Sequence, residues 1–183
     1  TFSIGENVVS PYLFSRGFRR LDAIVLTHAH NDHIDGLLDV IENFTIGEVW
    51  LGRNPMVPAY RELLRRALAR NIPIRWLKSG DRLPMDGDAS FEVLHPPAGW
   101  RNRRTAENDD SVVMLLRAAG QTALLTGDIE RAIGAPEKVD VLKVSHHGSR
   151  GVKLRVTAPL KVISVGANNP FGHPHASTLP AFR

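Results

Sequence analysis

Three histidines and two aspartates crowd into the stretch LTHAHNDHIDGL, Leu26 to Leu37, in a chain that holds eight histidines in all. Imidazole and carboxylate are ligands for zinc, iron and manganese, and imidazole also moves protons near neutral pH. His28 and His30 are two residues apart. If extended backbone continues there, both side chains project to one side. Asp32 and His33 are adjacent and face elsewhere on the turn. This layout suits two metal ions side by side better than one. The plain alternative is a polar loop in which Asp32 or Asp35 caps a helix and the histidines are merely exposed.

Three further clusters fill out the set. In LLTGDIE an apolar run ends at Gly127 and Asp128. A carboxylate beside a glycine can approach a metal closely, and its two oxygens can bridge two metals. In LKVSHHGSR another apolar run ends at His146 and His147, followed by Gly148 and Ser149. Adjacent histidines point in different directions, so one can bind metal while the other faces substrate. The segment FGHPHAS adds His173 and His175 on either side of Pro174. His95, in VLHPP, stands apart from these clusters and reads as structural.

The elements that must position these residues follow from pattern. LDAIVLT is a short apolar run without alternation, predicted to be a strand buried on both faces. In Asp35–Phe44, Leu37, Leu38, Ile41 and Phe44 recur at helical spacing. PAYRELLRRALARNIP predicts the clearest helix. Its apolar stripe is Tyr60, Leu63, Leu64, Ala67 and Leu68, with Arg61, Arg65, Arg66 and Arg70 mostly off it as a solvated face. GEVWLG, IPIRWLK and SFEVLHPP predict strands, and SVVMLLRAAGQTALLTGDI predicts a hairpin around RAAGQT. VDVLKVSHHGS and LKVISVGA predict two more buried strands. Strands interleaved with at least two helices predict an α/β or α+β class with a sheet core.

Composition sets outer limits. At 183 residues, 43% hydrophobic and 23% charged, the chain fits one globular domain, here residues 1–183. It has no cysteine, which excludes disulfides and thiolate zinc sites but not His/Asp sites. The balance of 23 Lys+Arg against 19 Asp+Glu is mildly basic and compatible with a polyanionic partner. No apolar run approaches the ~20 residues of a membrane span, and no signal peptide opens the chain. Its beginning reads as a cut into a larger protein.

THAHNDHIDG matches the metal motif of the metallo-β-lactamase superfamily. The order of that motif, then TGD, LKVSHHGS and GHPH, resembles one branch of it: the C-terminal nuclease-like domain of the ComEC DNA-internalisation proteins. VVSPYLFSRGFRRLDAIVLTHAHNDHIDGL and NDDSVVMLL extend the likeness over most of the chain. The resemblance implies an α/β fold, the metallo-β-lactamase-like αββα sandwich of four layers with two mixed sheets flanked by helices. The first strands of that pattern precede residue 1. The chain is also shorter than the pattern after GDIE and after SHHGSR, as though loops were absent.

By the same resemblance, His28 and His30 ligate a first metal, and Asp32 and His33 a second, with Asp128 bridging. One histidine of the His146/His147 pair completes the second site, with His147 favoured. His146 or His173 remains to contact phosphate or protonate the leaving group, and Asp32 is counted with them among the catalytic residues. Most superfamily members supply a third histidine to the first metal before TGD. Here AENDDSVV offers Asn108, Asp109 and Asp110, which suits manganese as well as zinc. Ser149 and Arg150, with Asn108 and Asp109, are candidate substrate contacts.

The implied activity is hydrolysis of DNA phosphodiester bonds during uptake, by a hydroxide shared between two divalent transition-metal ions, zinc or manganese. The implied partners are DNA and the remainder of a membrane-embedded competence channel in the same polypeptide. The implied place is the plasma membrane, on its extracytoplasmic face. Rival readings are hydrolysis of a small phosphoester or thioester, and a non-catalytic DNA-guiding module. A full ligand set argues against the latter, because buried unpaired histidines and carboxylates are costly. Arg101, Arg103 and Arg104 near Trp100 could grip a strand, and so could Lys153; the plain reading is a solvated loop with a half-buried tryptophan.

Overall fold

A computed structural model describes residues 2–178. The chain divides into two compact units, Thr1–Leu77 with Trp100–Asp110, and Lys78–Gly99 with Ser111–Arg183.

In the first unit a π-helical turn, Gly5–Val9, leads into helix α1, Ser10–Ser15. Sequence patterning did not predict these turns. Strand β1 (Arg20–Leu26), helix α2 (Asn31–Asn43), strand β2 (Thr45–Leu51), helix α3 (Pro58–Ala69) and strand β3 (Ile74–Trp76) follow. The three strands form a parallel sheet in the order β1-β2-β3. Parallel pairing requires a crossover long enough to hold a helix, and α2 and α3 supply it. The expectation that β1 is buried on both faces is not met. Ile24 and Leu26 are buried, while Leu21, Ala23 and Val25 alternate with them as half-buried positions and Asp22 is exposed.

The core of this unit joins Ile24 and Leu26 of β1, Ile34 and Ile41 of α2, Val49 and Leu51 of β2, and Tyr60, Leu63 and Ala67 of α3. Of the predicted α3 stripe, Leu64 packs at the core margin and Leu68 is 68% exposed. Leu68 falls in the final turn of the helix, outside that packing. The arginines tie helix to helix. Arg66 donates from Nη1 to the Leu38 carbonyl at 2.6 Å and from Nε to Glu62 at 2.7 Å, and Arg70 donates to Glu42 at 2.7 Å. Two arginines, Arg65 foremost, hold the Glu62 carboxyl down at about 2. Arg65, Arg66 and Arg70 therefore act as ion-pair partners on a largely solvated face.

The second unit is a six-stranded sheet in the order β4-β5-β6-β7-β8-β9. Its strands are β4 (Arg82–Pro84), β5 (Ser90–His95), β6 (Val113–Ala118), β7 (Gln121–Leu125), β8 (Val141–Lys143) and β9 (Leu160–Val162). β4 to β7 run antiparallel, and β8 and β9 add in parallel. The predicted hairpin is β6–β7. Ala118 pairs with Gln121, so the turn is Ala119-Gly120, with φ of 49° and 72°. Two residues of positive φ give a turn whose twist matches that of the strands. Val113, Leu115, Leu124, Ile129, Val139 and Leu142 form the core. The segments that follow GDIE and SHHGSR meet here. Val139 donates to Thr157 O at 3.0 Å, and Lys153 donates to Glu130 O at 2.6 Å.

Among the described residues no helix is long and apolar enough to cross a membrane. The α/β class expected from interleaved strands and helices holds.

Candidate functional site

In the first unit, the chain leaves β1 at Leu26 and enters α2 at Asn31, with His30 as the extended N-cap residue (φ −75°, ψ 150°). Neither Asp32 nor Asp35 occupies the cap position. Asp32 lies in the first turn, where a carboxylate is favoured by the helix dipole. His28 is fully buried, and its Nε2 lies 3.0 Å from His30 Nδ1, so the two do share a side. His33 is closer than expected: its ring centroid is 4.2 Å from that of His28. Thr27 Oγ1 stands 3.2 Å from His28 Nδ1 and 3.3 Å from His33 Nδ1, and Asp32 Oδ2 is 3.7 Å from His33 Nε2. All four predicted side chains therefore gather within one turn.

Hydrogen bonding sets the tautomer of His30. Its Nε2–H donates to the Ala106 carbonyl at 2.9 Å, which leaves Nδ1 with its lone pair turned toward His28 Nε2. Two imidazole nitrogens 3.0 Å apart suit adjacent ligands on one ion, since zinc–nitrogen bonds of about 2.0–2.1 Å at tetrahedral angles separate them by about 3.3 Å. A carbonyl behind a ligating histidine is the usual means of orienting it. This half of the donor set fits a divalent metal.

In the second unit, the chain leaves β7 at Leu125 and passes through Thr126 and Gly127 (φ 53°) to Asp128, which is 2% exposed. The Asp128 N–H donates to Ser111 Oγ at 2.9 Å. One carboxylate oxygen, Oδ1, receives Lys143 Nζ at 3.2 Å; the other, Oδ2, faces His147 Nε2 at 3.2 Å. His147 Nδ1–H donates to the Ser164 carbonyl at 2.6 Å. Its Nε2 therefore meets Asp128 either as an imidazolium or across a cation, and this pair also fits a metal. His95 behaves structurally: it is buried, with Nδ1 2.9 Å from the Ser111 carbonyl, beneath the same serine that holds Asp128.

His146, His147 and Gly148 occupy the left-handed region in succession, with φ of 44°, 51° and 83°. Side-chain-bearing residues rarely adopt it, and such strain concentrates at functional positions. The turn splays the adjacent imidazoles to centroids 6.2 Å apart. His147 thus meets Asp128, while His146 Nδ1 lies 2.6 Å from Glu130 Oε1 and its ring 5.4 Å from that of His173. Burial first, then the charges of His146 and His147, hold His173 below the ordinary histidine range. His175 turns to Ser177 Oγ at 2.7 Å.

Gly148 also locks this turn to the GHPH segment. Its carbonyl accepts from His175 N and from Thr178 Oγ1, each at 3.0 Å, and an added Cβ would lie 2.7 Å from Pro174 Cβ. Gly148→Ala combines positive-φ strain with overpacking, so it should cost roughly 2–5 kcal/mol. Urea unfolding of the variant beside the wild type measures it, and an unchanged midpoint would mean the turn is not constrained in this way.

Of the candidate substrate contacts, Ser149 is half-buried and Arg150 exposed in the second unit. Asn108 and Asp109 are half-buried in a 3-10 turn, Asn108–Asp110, of the first. Asp110 is taken up structurally, accepting from Trp100 Nε1 at 2.8 Å and Asn102 Nδ2 at 2.9 Å. Arg103 lies 3.2 Å from Glu107. The loop thus has the half-buried tryptophan of the plain reading. Sequence reasoning missed Glu130, Lys143 and Ser111. The first two lie within the stretches GDIE and LKVSHH, but their partners lie 16 and 15 residues away.

A profile of the beta-lactamase superfamily domain matches residues 6–146. The chain belongs to the metallo-β-lactamase superfamily. Within it, the chain is 33% identical over 97% of its length to ComE operon protein 3 of Bacillus subtilis (strain 168), and 28% identical over 95% to Competence protein ComA of Neisseria gonorrhoeae. It is 34% identical over 51% of its length to Ribonuclease Z of Archaeoglobus fulgidus. The chain spans about a quarter of the length of the two competence proteins, 24% of each. The likeness to the ComEC branch, drawn from the order of the motifs, therefore stands.

Proposed function

We propose that this chain is a metal-dependent phosphodiesterase acting on DNA, the hydrolytic part of a DNA-uptake protein. The single observation that carries the reading is the preset donor set: in each unit, backbone carbonyls already orient imidazole nitrogens toward other ligand-type atoms. Membership of a superfamily that includes a ribonuclease, and likeness to competence proteins, support it. The proposed ligands are His28, His30, Asp32 and His33 from the first unit, with Asp128 and His147 from the second. Two divalent transition-metal ions, zinc or manganese, would supply Lewis acidity and lower the pKa of a bound water toward ~7.

The chain's own residues take the remaining work. The Ala106 and Ser164 carbonyls hold His30 and His147 in the ligating tautomer. Glu130 orients His146 through Nδ1, and His146 is assigned the proton handed to the leaving oxygen; His173, whose protonated form burial disfavours, is the weaker donor candidate. Ser149 and Arg150 bind a phosphate oxygen and a neighbouring phosphate, and Asn108 and Asp109 remain candidate substrate contacts. In the proposed setting the domain serves a membrane-embedded channel of the same polypeptide, on the extracytoplasmic face.

The test is direct. Chelated protein is reloaded with zinc or manganese and incubated with labelled single- and double-stranded DNA, with metal measured in parallel. We expect up to two ions per chain and cleavage only after reloading. Less than one ion per chain after loading, or DNA left intact by the loaded protein, would remove the reading.

A further inference from the structure

The second unit contains a cavity of about 890 Å³ that the proposed metal ligands do not use. It opens directly beyond the histidine turn, since Gly148, Ser149 and Arg150 are part of its lining. Arg155 and Lys161 add two more cationic side chains, and Glu137 is the one carboxylate among the described lining residues. One of these cations, Lys161, stands on the sheet itself. Lys161 of β9 pairs in register with Leu142 of β8, and both line the cavity, so an ammonium stands beside an apolar floor that Val144 extends.

Three cations against one carboxylate, above apolar side chains, match one ligand chemistry well. A nucleotide unit presents a phosphate for Arg150, Arg155 and Lys161 and a flat, largely apolar base for the floor. The volume lies within the range of small-ligand sites. A site for a bare phosphate would have no use for the apolar floor, and a site for an apolar ligand no use for the cations.

We propose that this cavity binds the nucleotide next to the bond being cut, with Arg155 and Lys161 as its phosphate-gripping residues. The inference rests on the phosphodiesterase reading for its place in the reaction, but its binding chemistry can be measured separately. The source of the nucleotide is either a DNA strand or a free mononucleotide.

The experiment uses the metal-loaded chain and a fluorescein-labelled oligothymidylate with cleavage-resistant phosphorothioate linkages, followed by anisotropy over a salt series. Thymidine monophosphate is the competitor. In the variant Arg155→Ala/Lys161→Ala we expect affinity to fall at least about tenfold. The slope of log affinity against log salt should flatten by about 1.4, the share of two phosphate contacts to a single strand. Should the double variant unfold at lower temperature than the wild type, the exposed single change Arg155→Ala replaces it, with about half the slope change expected. Oligonucleotide binding far tighter than the monophosphate assigns the site to a strand; equal binding assigns it to a free nucleotide. Unchanged affinity and slope in the folded variants, or no binding of either probe by the wild type, overturns the inference. Hydrolysis of bis-p-nitrophenyl phosphate by the wild type reports separately on the phosphodiesterase reading, so the two failures are distinguishable.

Discussion

Asp128→Ala is expected to strip the protein of metal and bring DNA cleavage down to the uncatalysed background. Within its unit Asp128 is almost wholly buried, with one oxygen on Lys143 and the other facing His147. The substitution also leaves the Lys143 ammonium beside a cavity, so stability should drop. Breaking a fully buried pair costs about 3–5 kcal/mol, and the loss here should be smaller because the Lys143 side chain is 23% exposed. Asp128→Asn keeps the shape while removing the charge, and separates the loss of a ligand from the loss of packing. Metal content by atomic emission and cleavage of labelled DNA are read on both variants. Full metal retention in Asp128→Ala would sink the ligand role proposed for this residue.

The second large effect is expected at His146. Here metal should stay and rate should go. His146 is backed by Glu130 at 2.6 Å, whereas its neighbour His147 is committed to the Ser164 carbonyl and to Asp128. A carboxylate behind an imidazole fixes its orientation and tautomer, as in catalytic triads. His146→Gln should therefore lower the DNA-cleavage rate by about 10²–10⁴-fold with unchanged metal content. Glu130→Gln keeps the imidazole and removes only its support, so about 10–100-fold is expected. The comparison with His173→Gln decides between the two donor candidates. If His146→Gln loses metal as Asp128→Ala does, His146 is a ligand and the division of roles is wrong.

Much of this was legible in the order of residue types. Where chemistry-bearing residues follow an apolar run, as in AIVLTHAH, ALLTGD and VLKVSHH, the run becomes a strand and the polar residues emerge at its end. Hydrophobic spacing foretold α2 and α3 because 3.6-residue periodicity acts within a few turns. Positive φ at Ala119-Gly120 agrees with the hairpin expected from two apolar runs around a short polar turn. The candidate ligands were named from the resemblance of these motifs to the superfamily pattern, which depends on residue type and order alone.

Tertiary structure decided how those groups are held. No local pattern announces that His146 and His147 adopt left-handed backbone; histidine enters that region more readily than most side chains, but two in succession must be imposed by contacts such as Gly148 with Pro174. Nor does spacing show that Glu130 supports His146, that Lys143 pairs with Asp128, or that Ala106 fixes the tautomer of His30, 76 residues away. Leu68 followed the helical stripe yet is exposed, because periodicity says which face of a helix is apolar and not how far its neighbours extend. Trp100 became half-buried when Asp110 accepted its indole N–H. Residue type and spacing act over a few ångströms along the chain and so determine the chemistry on offer. Partners distant in sequence, chosen by packing and by the need to satisfy buried polar groups, determine which atom of each side chain is presented.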